Sequence, residues 1–313
     1  MITKLIFFKN TIISISPGIL SIFVSLFSLP IFLNLLTSAY FGQFIIQNLF
    51  LTLGFVLNFG IYRLVIINSS NIKKSFVKVK NTKYLQVNII LSLISSGLIF
   101  IAIYFINIKL NLPTLNLILN KYIFIGLILS SIFFTIESVQ KINEKFYQLA
   151  FFNLLFNAIS FSAPAFYLLI LKVINTNYEI LNYPDELISI VIVIKAITLI
   201  FFYLIALFQN QIGSIFTFSN NIIFSKKEIN EIFYATNQSL IFFLNNLTDK
   251  FFVKITLGNS FLTMYSVPQQ IAAKSTILIT GISSVFFPKV SKIRTTLRKK
   301  SYLKYVMRIT IFF

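Results

Sequence analysis

Eight predominantly apolar runs, near residues 11–36, 42–67, 85–107, 121–138, 148–171, 187–208, 231–254 and 261–287, dominate the sequence, and a ninth opens around Tyr302. A helix rising 1.5 Å per residue needs about 20 such residues to cross a hydrocarbon core of about 30 Å. Each run therefore has spanning length, and the segments between them are too short to build a separate soluble domain. The composition agrees. Hydrophobic residues make up 57% of the 313 and charged ones 11%, against roughly 45–50% and 25% in a water-soluble domain. The first run follows Lys4 and Lys9 as a secretory signal would, but it is about twice the usual length of such a core and no small-residue cleavage site closes it. It is read as span one.

Cys and His are both absent. Disulfides, thiolate or imidazole catalysis and Cys/His metal sites are thereby excluded, and no cofactor or metal is expected. An enzyme of the membrane glycosyltransferase or polymerase kind needs an acid or base, or metal-holding carboxylates, on a sizeable loop outside the membrane. The one acidic loop here, Glu179 to Glu186, is short, so the chain is read as a non-enzyme.

Where the charges fall gives an orientation. With the N-terminus in the cytoplasm, the inner segments hold 18 of the 27 cations, including the groups Lys73–Lys83 and Lys289–Lys300, while the outer ones hold Lys109, Lys121, Lys172, Lys250 and Lys254. That asymmetry follows the positive-inside rule. It also accounts for the net charge of +19 without nucleic acid, and the clusters suit anionic lipid headgroups.

The sequence also resembles itself. Residues 35–44, LLTSAYFGQF, pair with residues 256–265, TLGNSFLTMY, at an offset of 221; Leu36 meets Leu257, Ser38 meets Asn259, Tyr40 meets Phe261 and Phe44 meets Tyr265. In each copy a span ends in a very short polar turn and another span is entered through aromatics, and six spans separate the copies. Internal repeats of this kind are the signature of two-lobed transporters. The expected organisation is a complete six-helix bundle over 1–220 and a partial second bundle over 221–313, with two complete spans and the start of a third. A second half as long as the first extends past Phe313, so the chain is expected to be C-terminally truncated.

Thr248, Asp249, Lys250, Phe251 and Phe252, continuing through Leu257 and Gly258 to Met264, Tyr265 and Ser266, and later Phe286, Phe287, Pro288 and Lys289, resemble the central signature of bacterial polysaccharide exporters. These are the Wzx-type O-antigen flippases of the multidrug/oligosaccharidyl-lipid/polysaccharide superfamily. Pro17, Gly18 and the Phe41–Gly42–Gln43–Phe44 turn are similar to the start of the same family. The resemblance implies an all-α, polytopic, MATE-like two-bundle architecture around a central cavity in the bacterial cytoplasmic membrane. It also implies movement of undecaprenyl-pyrophosphate-linked oligosaccharide between leaflets for lipopolysaccharide or another polysaccharide, alongside other polysaccharide-assembly proteins. A drug/cation antiporter of the same superfamily is the alternative, as is a non-transporting remnant; lysines outnumber carboxylates inside the spans, which favours an anionic cargo.

Ionisable residues within spans mark candidate sites. Lys274 lies roughly 20 Å into span eight, beyond snorkelling reach, and Lys195 about 12 Å into span six. Both are candidates for binding the pyrophosphate or acidic sugars. Asp249, the one carboxylate well inside a span, is a candidate for pairing with a cation, gating or coupling; Lys250, about 100° away around the helix, need not pair with it. Pro17, Pro30, Gly54, Gly60, Pro164 and Pro268 interrupt helices, and Pro268 is the candidate hinge. Amides such as Asn58, Asn157, Asn245 and Asn246 are expected to face other helices.

Overall fold

The computed structural model describes residues 2–69, 74–110, 120–174, 184–214, 224–273, 285–286 and 290. Every regular element among them is helical. Span one is α1 (Ile2–Leu35), which continues through Pro17 and Pro30. Span two is divided into α2 (Ser38–Leu51), α3 (Leu53–Val56) and α4 (Ile61–Ser69). Next come α5 (Lys74–Leu110) and α6 (Lys121–Ile142). Span five combines α7 (Phe146–Asn153), a π-helical turn at Leu154–Ile159 and α8 (Ser160–Ile174). The described chain ends with α9 (Pro184–Phe208), α10 (Lys226–Leu257) and α11 (Asn259–Ala273).

Among the described residues, six helical stretches, 9–35, 38–56, 77–108, 121–142, 146–174 and 185–208, are long and apolar enough to cross a membrane. The run expected as span seven is helical, but α10 is not among these six. Asn237, Gln238, Asn245, Asn246, Asp249 and Lys250 all fall within it and dilute its hydropathy. Half of the run expected as span eight, together with Lys274, Gly281 and the segment from Tyr302, lies outside the described residues.

The helix boundaries have local causes. The Asn120 side chain accepts from the Tyr122 N–H at 2.9 Å to start α6, and the Thr37 hydroxyl accepts from Tyr40 N–H at 3.3 Å to start α2, each satisfying a donor the first turn leaves unpaired. Ser225 and Glu228 form a reciprocal capping box at the start of α10. Gly258, at φ +87°, ends α10 and turns the chain into α11.

α6 is the central post, packed against α3, α4, α5 and α9, while α1 closes the body against α7 and α8. Two apolar clusters fill it. One surrounds Phe32, Phe41 and Phe44, with the first two rings stacked at 5.0 Å. The other surrounds Ile61, Tyr84, Phe133 and Phe156. Between helices, a buried polar knot holds the break in span two. The Asn58 and Asn88 amides both donate to the Ser131 carbonyl and the Thr135 hydroxyl at 2.8–2.9 Å. The Ser131 hydroxyl donates to Asn88 Oδ1 at 2.9 Å, and Asn58 Oδ1 accepts the Tyr62 N–H at 2.8 Å. The helix is interrupted there at Phe59 and Gly60, at φ +50° and +66°, and no side chain fits at residue 60 because Ala235 of α10 fills that space.

Candidate functional site

A cavity of about 470 Å³ opens between the six-span body and α10. Leu49, Leu51, Thr52 and Phe55 of the divided span line one wall, Ser130 and Phe134 of α6 another, and Phe156 and Asn157 of the π turn a third. Lys195 closes it from α9, and Phe242, Phe243, Asn246 and Lys250 face it from α10. Two helix irregularities thus meet at one hollow. At the first, Thr52 turns its hydroxyl back onto the Leu49 carbonyl at 2.6 Å between α2 and α3. At the second, the π turn shifts the register of span five and delivers Phe156 and Asn157 to the wall. Such turns are rare and concentrate at functional sites.

Lys195, near the middle of α9, is 8% exposed. Its amine lies 4.6 Å from the centroid of the Phe156 ring, and that ring also stacks on Phe133 at 3.9 Å and 10°. The cation therefore rests on a held aromatic face. Among the described residues no carboxylate comes within ion-pair distance of Lys195 or Lys250. The cavity carries two ammonium groups, one from each side, without a fixed anion between them.

Lys250, counted above with the outer charges, stands within α10 and lines the cavity. Lys254, assigned to the same outer segment, is 4% exposed and buried in the last turn of α10. Among the described residues Asp249 pairs with no cation. Its Oδ2 accepts from the Tyr265 hydroxyl and from Gln269 Nε2, both at 2.7 Å, and its Oδ1 accepts the Lys250 backbone N–H at 2.8 Å. Tyr265 and Gln269 lie either side of Pro268 on α11, so the carboxylate ties α10 to the proline-bearing stretch of its neighbour. Lys274 lies outside the described residues.

Each end of α10 is fastened to the body in a different way. At its start, Glu228 Oε1 accepts from the Tyr84 hydroxyl at 2.8 Å and pairs with Lys80 at 3.2 Å, and Glu231 pairs with Arg63 at 3.5 Å. Burial works to raise the Glu228 pKa, but the Ser225 N–H, the Tyr84 hydroxyl and Lys80 together outweigh it and hold the carboxyl down to about 2. At the far end, the turn between α10 and α11 packs on the turn between α1 and α2. The Thr263 hydroxyl donates to the Ser38 carbonyl at 2.7 Å, Ser38 Oγ donates to Ser260 Oγ at 3.1 Å, and the Asn259 backbone occupies the place a side chain at Gly42 would take.

The two similar stretches, 35–44 and 256–265, meet in this seam. At an offset of 221, Ser38 corresponds to Asn259 and Gly42 to Thr263. The observed contacts are Ser38 with Thr263 and Gly42 with Asn259. Each contact is the other with its partners exchanged, as a two-fold relation between like surfaces requires.

No family profile matches the sequence, and none of the curated proteins matches it. Its structure is similar to the crystal structure of a point mutant of the Vibrio cholerae MATE transporter VcmN, with a TM-score of 0.63 and 14% identity over 97% of this chain and 69% of that one. The chain has the fold of a MATE transporter: all-helical, with several helices able to span a membrane.

Proposed function

We propose that the chain is a flippase moving a lipid-linked anionic oligosaccharide, of the undecaprenyl-pyrophosphate class, across the bacterial cytoplasmic membrane by alternating access. The observation that carries this reading is the pair Lys195 and Lys250, which face one cavity with no carboxylate between them. Lysine suits a mobile anion because it offers a point charge without a rigid two-pronged grip. Asn157, Asn246 and the Phe134 and Phe242 rings supply the hydrogen bonds and flat faces that sugars use. Lys274 is assigned to the same cargo, Asp249 to gating or coupling and Pro268 to the hinge. With the N-terminus inside, the ion-paired end of α10 faces the cytoplasm and the seam faces outward. Membrane lipids and polysaccharide-assembly proteins are the partners this role requires.

A second reading, drug/cation antiport, has its own support in the similarity to a MATE transporter and in the phenyl faces of the cavity, which attract organic cations. Reconstitution in liposomes separates the two. The full-length protein is expected to translocate a fluorescent polyprenyl-pyrophosphate saccharide and to leave ethidium untouched. Proton- or sodium-driven ethidium efflux without saccharide movement would replace the flippase by the antiporter.

A further inference from the structure

Lys254 is the most deeply buried cation for which the function above gives no use. Among the described residues its amine has no hydrogen-bond partner, although it sits in the last turn of α10 beside carbonyls that a C-terminal lysine commonly satisfies. An ammonium group withdrawn from water without a partner is strongly unfavourable. An anion arriving at another stage of a cycle would relieve that cost.

Its place along the helix says which stage. Lys254 follows Lys250 by four residues, so the two lie on the same face of α10 about 6 Å apart along its axis. Lys250 lines the cavity. On the other side, Gly258 closes the helix by donating its N–H to the Lys254 carbonyl at 3.0 Å, and Asn259 then packs on Gly42 in the seam. Lys254 therefore stands between the hollow and the contact that must part for the hollow to open at that end.

We propose that Lys254 is an anion-binding station of the passage from the cavity to the seam, receiving a phosphate-bearing headgroup from Lys195 and Lys250 as the seam opens. The inference rests on the reading of an anionic cargo.

The test uses the full-length protein in proteoliposomes with farnesyl pyrophosphate as probe and farnesol as control. The chain has no cysteine, so Lys254→Cys carries a unique thiol. Transport by this variant is expected to fall about tenfold. An aminoethyl thiosulfonate, which restores an ammonium group, should bring it back to within about twofold, and a methyl thiosulfonate should not. Mass spectrometry follows modification of the thiol during turnover, and Lys254→Arg, which keeps the charge, checks that folding is unaffected by the site. Normal transport by the unmodified thiol variant, equal recovery with the methyl reagent, recovery with neither, or a thiol that stays unreactive during turnover each overturns the inference. The underlying reading fails separately, if wild type does not bind farnesyl pyrophosphate more tightly than farnesol or if Lys195→Gln combined with Lys250→Gln binds it as well as wild type.

Discussion

The Lys195 amine lies over the Phe156 ring at 4.6 Å, and that ring is held in a stack with Phe133 at 3.9 Å. The amine is thus held at the cavity by a surface that neither neutralises it nor competes with an incoming anion. Cation–π attraction is worth about 0.5–2 kcal/mol and aromatic stacking about 0.5–1.5 kcal/mol. Phe156→Leu is expected to lower stability by about 1–3 kcal/mol, mostly through lost stacking and volume, and to weaken headgroup binding less than Lys195→Gln does. Thermal unfolding in detergent and titration with farnesyl pyrophosphate measure the two effects; a Lys195→Gln variant that binds as wild type would refute the role given to the amine.

The ion-paired end of α10 should be insensitive to pH over the physiological range. Glu228 is held to about 2 against an ordinary value of 4.5. A depressed carboxyl contributes stability above its unfolded pKa and loses it as pH falls through the folded one. The stability difference between wild type and Glu228→Gln is therefore expected to stay constant from pH 8 to 5 and to shrink only between about 4.5 and 2. Unfolding midpoints taken across that range decide it.

The seam tolerates no side chain at Gly42, since the Asn259 backbone fills that space. Gly42→Val is expected to cost about 1–3 kcal/mol through overpacking and to make a reporter cysteine placed at Ser260 more reactive. Thr263→Ala, which removes the hydrogen bond to the Ser38 carbonyl, should act in the same direction with about 1 kcal/mol. A reporter unchanged in both variants would show that this contact does not govern access.

The break in span two depends more on Asn58 than its neighbour network suggests. In Asn58→Ala, Asn88 still donates to the Ser131 carbonyl and the Thr135 hydroxyl, but the Tyr62 N–H loses its acceptor. The expected cost is about 1–3 kcal/mol, read as a lower unfolding midpoint. Hydrogen exchange should rise at Tyr62 and leave α6 protected.

Much of this arrangement was legible in the sequence because the membrane imposes a simple rule on length and polarity. Six of the expected spans became helices that meet it, and Lys195 stood out as a charge where charges are unfavourable. The cavity partner Lys250 was hidden by the same rule. It falls near the end of a run rich in amides, where counting loops places a lysine outside. The π turn that brings Phe156 and Asn157 to the wall, packed against α1 and α9, has no residue signature in the local sequence. Asp249 was recognisable as a special residue, but its neutral partners Tyr265 and Gln269 sit on the following helix, at a distance along the chain that no local pattern encodes. The weak likeness of 35–44 to 256–265 was informative because similar letters recurred at similar places in the span order; only the coordinates reveal that these two stretches touch.

That touching has a geometric consequence. Positions 38 and 42 mate crosswise with positions 263 and 259. Surfaces related in that way are self-complementary, the property that lets two copies of one patch close on each other.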